Sequence, residues 1–84
     1  MFLHLGSDIA VAIDDVISIN DYKSFRSVIN REFIKKMRSK KKIIDVSDQK
    51  PKSFIVTASK VYLSAISSVT LKKRAENLFY NEDY

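Results

Sequence analysis

Cysteine and tryptophan are absent from this 84-residue chain, and glycine, proline and histidine occur once each. Without cysteine there is no disulfide framework, no thiolate metal site and no thiol nucleophile. A single glycine cannot build a glycine-rich phosphate cradle, which removes the usual nucleotide-triphosphate chemistry. No apolar run approaches the ~18–20 residues that span a bilayer. Met1–Gly6 also lacks the basic start and long apolar stretch of a signal peptide. These absences predict one cytoplasmic domain over residues 1–84, ending in a short acidic tail at 80–84, with no membrane partner and no cofactor. A domain of this size buries only ~60–65% of its unfolded surface and gains from self-association.

Charge is present in plenty, and it is polarised. Fifteen Lys and Arg against ten Asp and Glu give a net charge of +5. Residues 1–22 carry Asp8, Asp14, Asp15 and Asp21 and no base. Residues 31–52 carry Arg31, Lys35, Lys36, Arg38, Lys40, Lys41, Lys42, Lys50 and Lys52 against Glu32, Asp45 and Asp48. A basic middle of this density points to a polyanion partner.

Apolar periodicity gives the elements. Phe2–Leu5 is a short strand that ends at the turn cluster Gly6-Ser7-Asp8. Ile9–Ile13 alternates with both faces apolar and reads as a strand covered on both sides. Asp14-Asp15 separates it from Val16–Ile19, a pattern read as a tight hairpin. Tyr22, Phe25, Ile29, Phe33 and Met37 then recur every three or four residues, predicting a helix of roughly four turns capped by Asn20 or Asp21. Its other face shows Lys23, Arg26, Asn30, Arg31, Lys35 and Arg38. Ile43–Val46 is a short strand, and Ser47–Lys52 a polar loop holding Pro51. Ser53–Thr57 and Lys60–Ile66 form a hairpin around Ala58-Ser59, across which Phe54 and Tyr62 are placed to pair. Ser67 or Ser68 caps a second helix with Leu71, Ala75, Leu78 and Phe79 on its apolar stripe. The order β-β-β-α-β-β-β-α predicts an α+β fold: a small, mainly antiparallel sheet with two helices.

Catalysis finds little support in the residues. His4 stands alone, sharing a strand side with Phe2, and makes neither a triad nor a zinc site. Asp14 and Asp15 are neighbours that point apart and fit a solvated turn better than a shared proton or a divalent ion. The chain is therefore expected to be no enzyme, with no metal and no small-molecule substrate.

The basic residues support a binding surface instead. Arg38, Lys40, Lys41, Lys42, Lys50 and Lys52 form the densest group. Lysine and arginine at a phosphate backbone release counterions and add affinity without reading sequence. Arg31, Lys35, Lys72, Lys73 and Arg74 are weaker candidates, since exposed bases on helices commonly serve solubility. Tyr22, Phe25 and Phe33 follow the helix core stripe rather than the bases, so duplex DNA is favoured over stacked single strands. The bases from the end of the long helix and from the proline loop are expected to meet in one cationic rim. An assembly module that works with a DNA-binding homologue is the alternative, motivated by the acidic first third of the chain.

The runs Phe2-Leu3-His4-Leu5-Gly6, Val11–Ile19, Pro51-Lys52-Ser53-Phe54-Ile55-Val56-Thr57 and Tyr62 through Arg74 together resemble the extracellular-matrix regulator family, and its RemB branch more than its RemA branch. The resemblance spans nearly the whole chain, with Tyr62–Arg74 its most specific part. It implies a non-enzymatic, DNA-binding transcriptional regulator of biofilm-matrix genes in Bacillus-type bacteria. The implied assembly is a ring-type homo-oligomer that is cytoplasmic and nucleoid-associated and presents basic loops to the duplex. The RemA basic loop falls on Lys50-Pro51-Lys52, with lysines where RemA has arginines. Lysine neutralises phosphate as a point charge but lacks the bidentate fork. An arginine of RemA-like proteins falls on Asp15, whose carboxylate repels phosphate.

Overall fold

The fold was obtained as a computed structural model that describes residues 1–25 and 42–81. The first helix, expected from a cap at Asn20 or Asp21 to an end in Arg38-Ser39-Lys40-Lys41-Lys42, lies mostly outside the described residues. Its start is visible as a 3-10 turn at Tyr22–Ser24, where Asp21 accepts a hydrogen bond from Lys23 N at 2.8 Å.

Among the described residues, six strands form two sheets. β1 (Phe2–Gly6) and β2 (Ile9–Ala12) make an antiparallel pair. β3 (Val16–Asp21), β4 (Ile43–Asp45), β5 (Ser53–Thr57) and β6 (Val61–Ser64) make a four-stranded sheet in the order β3-β5-β6-β4. All pairings are antiparallel except β4 with β6. One helix, α1 (Ser68–Asn81), closes the described chain and reaches past Tyr80 into the segment read as a tail.

The hairpin expected at Asp14-Asp15 does not form. β2 returns along β1, and β3 pairs with β5. Asp14 and Asp15 lie in a 3-10 turn, Ile13–Asp15, that carries the chain from one sheet to the other. The physical reason is φ. Two-residue hairpins twist correctly when their central residues adopt positive φ. Ser7 and Asp8 do so, at 50° and 61°, beside Gly6 at 104°. The tight turn is therefore made there, one strand earlier than the alternation suggested. β2 is likewise not covered on both sides: Val11 is buried while Ala10, on the opposite face, is exposed.

The core has two parts. Leu3, Leu5, Val11, Ile13, Ile55 and Leu71 pack between the small sheet, the large sheet and α1. Phe25, Phe54, Val61 and Leu63 pack together in a second cluster, where Phe54 meets Phe25 edge-to-face at 5.0 Å. Phe54 and Tyr62 do not pair across the β5–β6 hairpin. Phe54 stands opposite Leu63 and Tyr62 opposite Ile55, and they join different clusters. On α1, Leu71 is buried and Lys72, Lys73 and Arg74 are exposed, as the helical period predicts.

The strand register gives the large sheet two ends. Val16, Thr57, Val61 and Ile43 stand at one, the hairpin end; Asp21, Ser53, Ser64 and Asp45 stand at the other, the loop end.

Candidate nucleic-acid interface

The loop end is held by small polar side chains. Ser64 is fully buried; its hydroxyl donates to Leu5 O at 2.7 Å and accepts from Ile66 N at 3.1 Å. Ser53, also fully buried, donates to Ile66 O at 2.7 Å. These bonds end β6 at Ser64 and bend the chain through 65–66, so the strand stops short of the expected Ile66. Ser67 caps α1 by accepting from Thr70 N at 3.2 Å.

The basic loop is built on this frame. Asp45 accepts hydrogen bonds from the hydroxyl of Ser47 and from its N–H, the latter at 2.8 Å. The Ser47 hydroxyl is the main cause that holds the Asp45 carboxyl below the usual aspartate range; slight burial opposes it, and backbone N–H groups of Ser47 and Gln49 assist. Asp48 and Gln49 turn the chain at φ 55° and 64°, and Lys50 N donates to Ser47 O at 3.3 Å. Two bonds then fix Lys52: its N–H donates to Ser64 O at 2.8 Å, and its carbonyl accepts from Tyr22 N at 3.0 Å. Lys50 and Lys52 are both exposed.

Of the other candidates, Lys42 is half-buried at the hairpin end, where its carbonyl accepts from Val61 N at 2.8 Å. Lys60 is exposed beside it. Within one chain, Lys42 and the Lys50–Lys52 loop are thus separated by at least the length of β6, roughly 13 Å at ~3.3 Å per residue. The expected single rim is not assembled by these described residues. Arg31, Lys35, Arg38, Lys40 and Lys41 lie outside the described residues. Lys72, Lys73 and Arg74 are exposed on α1.

Lys23 is the residue that sequence reading passed over. It was placed on the outer face of the first helix, yet the Tyr22–Lys52 bond puts it at the loop end beside Lys52. No local pattern signals this, because the neighbour is 29 positions away. Asp15 is exposed in its 3-10 turn at the hairpin end, away from the Lys50–Lys52 loop.

Among the described residues, no cluster of three or more His, Asp or Glu is arranged to hold a metal. Among them, too, no helix is long and apolar enough to cross a membrane.

A family model described as RemA-like, extracellular matrix regulatory protein A-like, matches residues 2–75. The chain is also 43% identical over 79 residues to extracellular matrix regulatory protein B of Bacillus subtilis (strain 168), covering 94% of this chain and 95% of that protein.

Proposed function

We propose, since this chain belongs to the RemA-like family of extracellular matrix regulatory proteins and stands with its RemB branch, that it is a non-enzymatic regulator of matrix genes. It acts by gripping the backbone of duplex DNA as a cytoplasmic homo-oligomer. The observation that carries this reading is the loop end, where exposed Lys50 and Lys52 stand on a backbone fixed by buried serines and by bonds to β6 and to Tyr22. A rigid base lets each lysine meet a phosphate without first ordering a loop. Lys42 gives a second contact region. Measured along the duplex axis, its distance from the loop corresponds to about four base-pair steps of ~3.4 Å.

Self-association is supported by apolar surface left open on the small sheet and the large one. Phe2 is 62% exposed and Ile17 68% exposed. Among the described residues, β3 and β4 are the outer strands of the large sheet, and outer strand edges favour pairing with another copy. Repeating a modest basic patch around a ring multiplies its hold on DNA.

The test is a gel-retardation comparison of two charge reversals in the full chain. Lys50→Glu with Lys52→Glu abolishes duplex retardation, a loss of about a hundredfold or more at moderate salt, with an unchanged circular dichroism spectrum. Lys42→Glu with Lys60→Glu weakens it less. Retention of full affinity in the Lys50/Lys52 variant refutes the loop as the contact surface.

The second reading, an assembly module that works beside a DNA-binding homologue, draws on exposed Asp14 and Asp15. Duplex titration of the chain alone at two salt concentrations separates the two. Loss of affinity with salt supports the regulator, and no binding even at low salt supports the module.

A further inference from the structure

We infer that Lys23 and Lys52 together form a clamp for one backbone phosphate of the DNA, in the recess between the turn after β3 and the loop before β5. The inference rests on the DNA-binding reading and deepens it, adding a contact from outside the 38–52 segment. Tyr22 N donates to Lys52 O at 3.0 Å, and Lys52 N donates to Ser64 O at 2.8 Å, so both lysines rise from backbone that is locked together and locked to β6. The recess between them is lined by Tyr22, Pro51, Ser67 and Val69, with the two lysines on its walls.

Lys23 and Lys52 are exposed, and neither ammonium has an ion-pair partner among the described residues. Two unpaired cations held beside one recess repel each other, and a single anion between them relieves that repulsion at both. A singly charged phosphodiester satisfies both ammonium groups without needing a fork-shaped donor. Asp21 also lines the recess and is the only carboxylate among the described residues that do. Its Oδ1 accepts from Lys23 N at 2.8 Å, which turns that oxygen toward the backbone but leaves a negative charge near the site. The arrangement therefore makes an unusual demand: removing Asp21's charge must strengthen DNA binding, while removing Lys23's charge must weaken it.

The experiment titrates a labelled duplex with the full-length chain by fluorescence anisotropy, at salt between about 50 and about 200 mM. Lys23→Ala is expected to weaken binding about three- to tenfold and to lower the slope of log affinity against log salt by about 1. Lys52→Ala does the same. Asp21→Asn, whose amide oxygen still caps the turn, is expected to tighten binding about two- to threefold. Circular dichroism and thermal midpoints report that the fold is kept, since the backbone bonds at 22 and 52 survive these changes. Wild-type affinity and slope in Lys23→Ala, while Lys52→Ala weakens binding, overturns the clamp and leaves the loop contact standing. Absence of any salt-dependent binding by the wild type overturns the DNA reading itself, and the clamp with it.

Discussion

The two ends of the large sheet are built differently. At the hairpin end, β5 and β6 are joined through a short turn in which Thr57 Oγ1 donates to Lys60 O at 2.8 Å and accepts from Lys60 N at 3.0 Å. The loop end gathers the start of α1, the β1–β2 turn, the end of β3 and the long loop 46–52, none of which follows its neighbour in sequence. Buried Ser53 and Ser64 tie separate pieces to one another, while Ser47 and Ser67 hold the loop and the helix start locally. A hairpin needs only its own ladder, whereas meeting loops expose backbone carbonyls and N–H groups that must be satisfied by something compact. Serine hydroxyls do this in little volume. The consequence is a rim of irregular chain held by hydrogen bonds, and Lys50 and Lys52 stand on it.

This contrast can be broken most severely through the core that joins the ends. Phe54 is fully buried and lies one residue from the loop end. Phe54→Ala is expected to cost about 3–5 kcal/mol, seen as a large fall in the urea midpoint, and to loosen both ends together. Ser64→Ala is a sharper tool. It leaves Leu5 O and Ile66 N without their side-chain partner and is expected to cost about 1–3 kcal/mol. Amide exchange should then accelerate at residues 50–53 and 64–68 while the β5–β6 turn at 57–60 keeps its protection; uniform acceleration would mean the ends are not separate units. The smallest effect is a pH effect confined to the loop. The Asp45 carboxyl is held below its unfolded value chiefly by the Ser47 hydroxyl. Its contribution is therefore present above the unfolded aspartate value and is lost as pH falls through the lower folded value. Asp45→Asn should flatten that part of the acid-stability profile, measured by urea unfolding at stepped pH.

Much of the fold was legible in the chain. The β5–β6 hairpin, the short strand at 43–45, the Gly6-Ser7-Asp8 turn and the C-terminal helix with its serine cap all follow from local period and turn chemistry. The reading failed where two local signals competed. Asp14-Asp15 stands between two β-rich runs and looks like a hairpin, but the positive-φ turn forms at Ser7-Asp8 beside Gly6, and β3 pairs with the distant β5 rather than with β2. In the sequence the serines at 53 and 64 look like ordinary strand positions, because a buried hydroxyl is recognisable only once its distant acceptor is known. For the candidate site, Lys50 and Lys52 were identifiable from charge and family resemblance, while Lys23 was hidden by a partner far along the chain.

Composition alone determined that this sequence has no thiol, a single glycine and a single histidine, and that its net charge is positive. Those properties are sums over residues and need no geometry. Which lysines stand together was decided by the tertiary structure. The antiparallel β3–β5 register carries Tyr22 to Lys52, and the parallel β4–β6 register sends Lys42 to the opposite end. Charge is a property of the side chain, but its neighbours are set by strand register, which depends on backbone pairing across tens of residues.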